Sequence, residues 1–128
     1  MKAGLKELLT KLTNTPIVVE TGTNGIWTYR KWSDGTAEAF CKTLVSVNCN
    51  MSYGGIYYAS YLTINFPTGL FTEAPKVASD IDLTGGIGGT TPTNISTSSM
   101  HLYVWNGTAF NYSGRNTYVY INAVGKWK

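Results

Sequence analysis

Apolar and polar positions alternate with period two along most of this chain, and only the first dozen residues follow a helical period instead. Residues 2–13 carry Leu5, Leu8, Leu9 and Leu12 on one stripe, with Lys6, Glu7 and Lys11 off it. Leu5, Leu8 and Leu12 also fit one a-d-a step of a heptad. A helix of about three turns does not persist alone in water, so the stripe must pack, either on its own chain or on identical helices of neighbouring chains. Asn14-Thr-Pro16 ends it, because the residue before proline avoids the helical region.

From Ile17 onward the pattern predicts strands and turns. Ile17–Glu20 reads as a short strand and Thr21–Gly25 as a turn. Between Lys42 and Asn50, Val45, Val47 and Cys49 share one face, with Leu44, Ser46 and Asn48 on the other. Leu62, Ile64 and Phe66 alternate with Thr63 and Asn65 until Pro67. Val77, Ser79, Ile81 and Leu83 alternate with Asp80 and Asp82. Thr84–Thr93 reads as a flexible Gly-Thr-Pro loop. Met100, Leu102 and Val104 alternate with His101, Tyr103 and Trp105 before an Asn106-Gly107 turn, and Phe110–Tyr112 and Thr117–Val124 supply the last strands. About seven to nine short strands separated by turn signals predict an all-β, antiparallel β-sandwich preceded by one short helix.

The segment Trp27–Glu38 is a β-hairpin signal. Asp34-Gly35 has the residues of a two-residue type I′ turn. Closing it there sets Lys31 opposite Glu38 and Tyr29 opposite Phe40, both favourable cross-strand pairs, and Trp32 opposite Ala37, where a large ring has room to lie flat. The same segment, Gly25-Ile-Trp-Thr-Tyr-Arg-Lys-Trp-Ser-Asp-Gly35, resembles the opening of a C-terminal domain found in many tail-fibre proteins of phages and prophages of intestinal bacteria. Phe66-Pro-Thr-Gly-Leu-Phe-Thr-Glu-Ala-Pro-Lys-Val77 and Ala123-Val-Gly-Lys-Trp-Lys128 are similar to that family's middle and closing motifs, in the same order, so the resemblance spans residues 25–128. One departure lies after the turn, where Glu38-Ala39-Phe40-Cys41 stands in place of Glu-Cys-Trp-Gly. The resemblance implies a jelly-roll-like topology, a homotrimer and a distal fibre domain that contacts the host surface. Residues 1–15 would then be the end of a stalk, with Leu5, Leu8, Leu9 and Leu12 buried between chains, and 16–128 the receptor-binding sandwich. The matching motifs read as scaffold and carry over no binding residue.

Composition narrows the chemistry. The 128 residues fit one domain with a real core. Only 13% are charged, about half the ordinary share, and the net charge is +3 with the basic residues scattered. Nucleic-acid binding, which asks for a clustered basic face, is not expected. No apolar h-region and no run near the ~20 residues of a membrane span is present, so neither a signal peptide nor membrane insertion is expected. Cys41 and Cys49 read as free thiols rather than a disulfide framework. No catalytic residue, metal site or cofactor is expected: His101 is the one histidine, no cysteine–histidine cluster has zinc spacing, and Asp80 with Asp82 reads as a solvated face. The run Gly85-Gly-Ile-Gly-Gly89 leads into Thr-Thr-Pro rather than a helix, which removes the dipole a phosphate loop needs.

Surface aromatics are the candidate binding chemistry. Tyr53-Gly-Gly-Ile-Tyr57-Tyr58-Ala-Ser-Tyr61 joins rigid amphipathic rings to small residues, as binding loops do. Asn111-Tyr112-Ser-Gly-Arg115-Asn116 adds a guanidinium. Candidate ligand-binding residues are therefore Tyr53, Tyr57, Tyr58, Tyr61, Tyr112 and Arg115; tyrosine is also a common strand and core residue. Three functions compete: a non-enzymatic fibre tip that attaches a virion, among other tail proteins, to a bacterial surface glycan or protein; a carbohydrate-binding module of a lytic or secreted enzyme; and a purely structural virion module.

Overall fold

Alternation along the chain resolves into two sheets whose inner faces share one core. The computed structural model describes residues 3–128; within the helix, the side chains of residues 3, 9, 10, 12 and 13 are outside the described set. The expectation that Leu9 and Leu12 are buried between chains thus falls outside the described residues. Helix α1 spans Ala3–Asn14 and ends where Thr15 donates both its N–H and its hydroxyl to the Lys11 carbonyl. Leu5 and Leu8 are about half exposed, at 51% and 52%.

The first sheet begins as a meander of β1 (Val18–Asn24), β2 (Trp27–Trp32) and β3 (Thr36–Leu44). The second sheet holds β5 (Met51–Tyr53), β6 (Ile56–Tyr58), β7 (Leu62–Asn65), β9 (Gly88–Thr93) and β10 (Ser99–Asn106). β8 (Lys76–Asp82) and β12 (Tyr118–Lys126) complete the first sheet in the order β1-β2-β3-β12-β8. A small pair, β4 (Asn48–Cys49) and β11 (Phe110–Asn111), stands apart. The chain passes between the two large sheets repeatedly, as a sandwich with jelly-roll-like crossings does.

The core follows the sequence alternation closely. Ala37, Ala39, Val119, Ile121 and Ala123 of the first sheet face Ile64, Met100, Leu102 and Val104 of the second, all buried. Each large aliphatic side chain buried this way contributes roughly 1.5–3 kcal/mol. Trp27 joins Phe66 at 5.8 Å and donates its indole N–H to the Asn65 carbonyl at 2.7 Å, so its one polar atom is satisfied. Val45, Val47 and Cys49 point inward and Leu44, Ser46 and Asn48 outward, as their spacing predicts.

Three expectations are corrected. The hairpin register is one residue off: Arg30, not Lys31, stands opposite Glu38, Lys31 faces Ala37, and Tyr29 faces Ala39. Asp34 does not take the positive φ that a type I′ turn demands; only Gly35 does, at 95°. The Asp34 carboxylate instead accepts the Thr36 N–H at 2.9 Å, and Gly35 donates to the Trp32 carbonyl at 3.0 Å, closing a loop of Ser33, Asp34 and Gly35. The favourable opposite-charge pair survives with a new cation, Arg30 Nε lying 2.7 Å from Glu38 Oε1.

The first strand is also longer than the Ile17–Glu20 expected. It runs to Asn24 and turns through Gly25 and Ile26 into Trp27, with a register irregularity between Val18 and Glu20. The third correction concerns the expected loop 84–93. Residues 88–93 form β9, paired antiparallel with β10 along its length. Its glycines serve close approach rather than freedom: a Cβ on Gly88 would run into the Trp105 carbonyl, and one on Gly89 would lie 2.9 Å from the Trp105 ring. Pro92 is tolerated because β9 is laddered to β10 on one side only among the described strands. Ser79 and Thr90 share a hydroxyl hydrogen bond of 2.6 Å, which ties β8 to β9 between the sheets.

Both ends of the sandwich meet at one hairpin tip. Ile17 exchanges hydrogen bonds with Ser33, donating to Oγ at 3.0 Å and accepting its N–H at 2.8 Å. Trp127 donates its indole N–H to the Trp32 carbonyl at 2.8 Å and its backbone N–H to the Gly35 carbonyl at 2.9 Å.

Candidate functional site: an aromatic face on the second sheet

β10 alternates strictly, so Met100, Leu102, Val104 and Asn106 fill the core while His101, Tyr103 and Trp105 stand on the outer face. Two neighbours complete that face. On one side β9 sets Thr91 beside Tyr103 and Thr93 beside His101. On the other, β6 and β7 run along β10 one after the other, and their junction holds a one-residue bulge. Tyr58 stands opposite Trp105 and Leu62 opposite Leu102, which is four steps against three. Residues three apart on a regular strand face opposite ways. The bulge brings Tyr58 and Tyr61 to the same outer face, a recurrent use of bulges beside binding sites.

The rings then form a connected set. Tyr58 meets Tyr53 edge-on at 6.5 Å and Tyr103 edge-on at 5.8 Å. Tyr61 meets Tyr103 edge-on at 5.9 Å and stacks on His101 at 3.8 Å with planes 9° apart. His101 is held by Asn94, whose Nδ2 lies 3.2 Å from its Nδ1. Edge-to-face contacts of this kind stabilise rings by about 0.5–1.5 kcal/mol each, and so hold the set in place before any ligand arrives. A groove of about 360 Å³ runs between Tyr53, Ile56, Tyr58, Thr91, Thr93, Tyr103 and Trp105. Its lining has no carboxylate, ammonium or guanidinium. Tyr53 and Tyr61 are the most open rings, at 74% and 47% exposed.

Of the six ligand-binding candidates, the structure brings Tyr53, Tyr58 and Tyr61 to this face. Tyr57 points the other way, opposite Asn106 on the inner side, and packs against the core. Tyr112 is fully buried; its hydroxyl donates to the Gly85 carbonyl at 2.9 Å, and burial pushes its phenol above the ordinary range. It is a core residue and cannot receive a surface ligand. Arg115 lies away from the groove lining, its guanidinium 4.7 Å over the Phe110 ring. Tyr103, Trp105 and His101 were missed as site residues although their outward alternation was visible in the sequence. Thr91 and Thr93 join the face from β9, a stretch whose glycines and proline signal a loop in the sequence.

Cys49 is buried and Cys41 half-buried; both are free, and burial pushes the Cys41 thiol up to about 11. A thiol so held is protonated at neutral pH and a poor nucleophile. Among the described residues, no three of His, Cys, Asp and Glu gather as a metal site, and no helix is long and apolar enough to cross a membrane.

The architecture is an all-β antiparallel sandwich preceded by one short helix. The chain is similar in structure to the N-truncated R1-type pyocin tail fiber, with a TM-score of 0.58 and 14% identity over 98% of this chain and 97% of that one. At that identity the likeness is one of fold. No protein-family profile and no curated protein matches the chain.

Proposed function

We propose that this chain is a receptor-binding module of a tail fibre, which attaches a virion to a bacterial surface glycan through the aromatic face of its second sheet. The observation that carries the reading is the groove itself: preset rings with threonine hydroxyls between them and no charged lining. Pyranose rings lay their C–H faces on aromatic side chains and hydrogen-bond to hydroxyls at the rim, with no acid, base or metal needed. The fold shared with a pyocin fibre supports a place among tail proteins. The role is attachment without catalysis. Single sites of this sort are weak, and several copies on one fibre gain by avidity when they engage one surface together.

The test is attachment of the labelled full chain to candidate host cells, compared with Tyr58→Ala and Tyr103→Ala. Both variants should lose attachment while their melting temperatures stay within a few degrees of the parent. Equal attachment by both removes the face from the site. Attachment that survives periodate treatment of the cells would move the receptor from glycan to protein.

A further inference from the structure

The aromatic face has a polar end that lies just outside the groove. His101 follows Tyr103 on the outer face of β10, opposite Thr93 of β9 and Thr63 of β7. Thr93 and Tyr103 line the groove, so the imidazole adjoins it without being part of its lining. Two contacts hold the ring. Tyr61 covers one of its faces at 3.8 Å with planes 9° apart, and Asn94 Nδ2 lies 3.2 Å from Nδ1. A ring held on one face and at one nitrogen is set in place before a ligand arrives.

The second contact decides which nitrogen carries the proton. An amide Nδ2 only donates, so Nδ1 of His101 accepts and the neutral ring keeps its proton on Nε2. Nε2 has no partner among the described residues and is not one of their buried unpaired polar atoms, so it opens to solvent. The chain thus presents a fixed N–H donor beside a set of ring faces. Asn94 reaches the imidazole from an uncommon backbone, as the one non-glycine residue with positive φ among the described residues, at 49°. Asparagine tolerates that region better than most side chains, here just past the end of β9.

A donor of this kind selects an acceptor. Among the groups of an uncharged sugar, a hydroxyl both donates and accepts, whereas the carbonyl of an acetamido group only accepts. The acetamido methyl also gives a ring face something apolar to cover. A carboxylate accepts as well, but a neutral imidazole and an uncharged lining leave its charge uncompensated. Building on the receptor reading above, we infer that His101 Nε2–H hydrogen-bonds the carbonyl of an N-acetylated sugar on the aromatic face. Asn94 is the positioning residue that fixes the tautomer for it.

His101 is the one histidine of the chain, so its ring nitrogens can be followed by NMR without overlap from another imidazole. In the full chain, with the ring neutral, Nε2 should be the protonated nitrogen. Asn94→Asp offers Nδ1 an acceptor in place of a donor and should move the proton to Nδ1. Binding is read by titrating the full chain with chitotriose and with cellotriose, which differ in carrying acetamido or hydroxyl groups. Chitotriose should bind more tightly by about three- to tenfold, the worth of one net hydrogen bond. His101→Phe keeps a ring to stack on Tyr61 and should abolish that preference, as should Asn94→Asp. A parent ring protonated on Nδ1, equal binding of the two sugars, or a preference that survives either substitution overturns the inference. The receptor reading fails by a separate result, unchanged cell attachment of Tyr58→Ala and Tyr103→Ala. Loss of attachment in those two, with His101→Phe behaving as the parent, leaves the aromatic face standing and sinks the His101 role alone.

Discussion

On the first sheet the outward positions of β3 and β12 carry Phe40, Leu44, Tyr120 and Val124; on the second, those of β10 carry His101, Tyr103 and Trp105. The first set is interleaved with charge, the Lys42 ammonium lying 4.5 Å over the Tyr118 ring and Asp80 and Asp82 standing opposite Tyr120 and Tyr118. The second stands as rings edge to face, with hydroxyls between them and no charge in the lining. Both break the usual polar-out rule of a sandwich, so exposure alone does not separate them. What separates them is the spacing of polar groups. Hydroxyls within reach of ring faces suit a small ligand with C–H faces and its own hydroxyls. Charges interleaved with single apolar side chains leave no such preset ring pocket.

The comparison breaks most severely if one face can be dismantled alone. Gly88→Ala would force a methyl group into the Trp105 carbonyl and unpair β9 from β10. A loss of about 3 kcal/mol is expected, seen as a lower denaturant midpoint, as for other overpacked sites. The groove should go with it, because β9 supplies Thr91 and Thr93. Cell attachment should fall with it. Attachment equal to the parent's would mean that the groove is not the contact face.

Gly35→Val acts at the other end of the contrast, in the hairpin that orients β2 and β3. Gly35 has φ of 95° and sits against the Lys128 backbone, so a β-branched residue is strained and crowded. About 2 kcal/mol of destabilisation is expected by thermal melting. An unchanged melting temperature would disprove the tight turn.

Tyr112→Phe sharpens the line between core and face. Loss of the hydrogen bond to the Gly85 carbonyl should cost about 1 kcal/mol in equilibrium unfolding, with attachment unchanged. A drop in attachment with no change in stability would return Tyr112 to the binding site. Arg115→Ala, exposed on the same turn, should change stability by less than about 0.5 kcal/mol and attachment not at all.

One further effect appears only in alkali. The folded Cys41 thiol has its pKa raised by burial to about 11, above its unfolded value. Its contribution to stability is therefore complete below the unfolded thiol pKa and is lost as the pH rises through about 11. Melting curves of Cys41→Ala should decline less over that window than those of the parent; parallel declines would refute it.

The sequence displayed the sandwich because alternation survives wherever a strand has one face in the core: Met100 to Trp105, Leu62 to Phe66 and Val45 to Cys49 could each be assigned inside and outside without coordinates. It hid the hairpin register, since Asp34 can serve either as a positive-φ turn residue or as a side-chain acceptor for Thr36, and both yield an opposite-charge pair with Glu38. It hid β9 because glycine and proline, taken as breakers, were there for close packing against Trp105 and for an edge. The site was half legible. Tyr53, Tyr58 and Tyr61 were found from composition, but a one-residue bulge decides that Tyr58 and Tyr61 share a face and that Tyr57 does not. Nothing in the local pattern announces that bulge. The rest of the site comes from strands distant in sequence.

The chain enters the sandwich at Ile17 and leaves it at Trp127, and both are fastened to the same turn, Ser33 to Gly35. Neighbouring ends give the domain the geometry of a cassette. It can be lifted out of one long polypeptide and set into another without stretching either flank, because the join spans only the width of a hairpin tip. In the attachment role proposed above, that would favour exchange of the whole domain over gradual revision of its surface. A recombination that swaps everything between Ile17 and Trp127 would carry both sheets and the core between them as one piece.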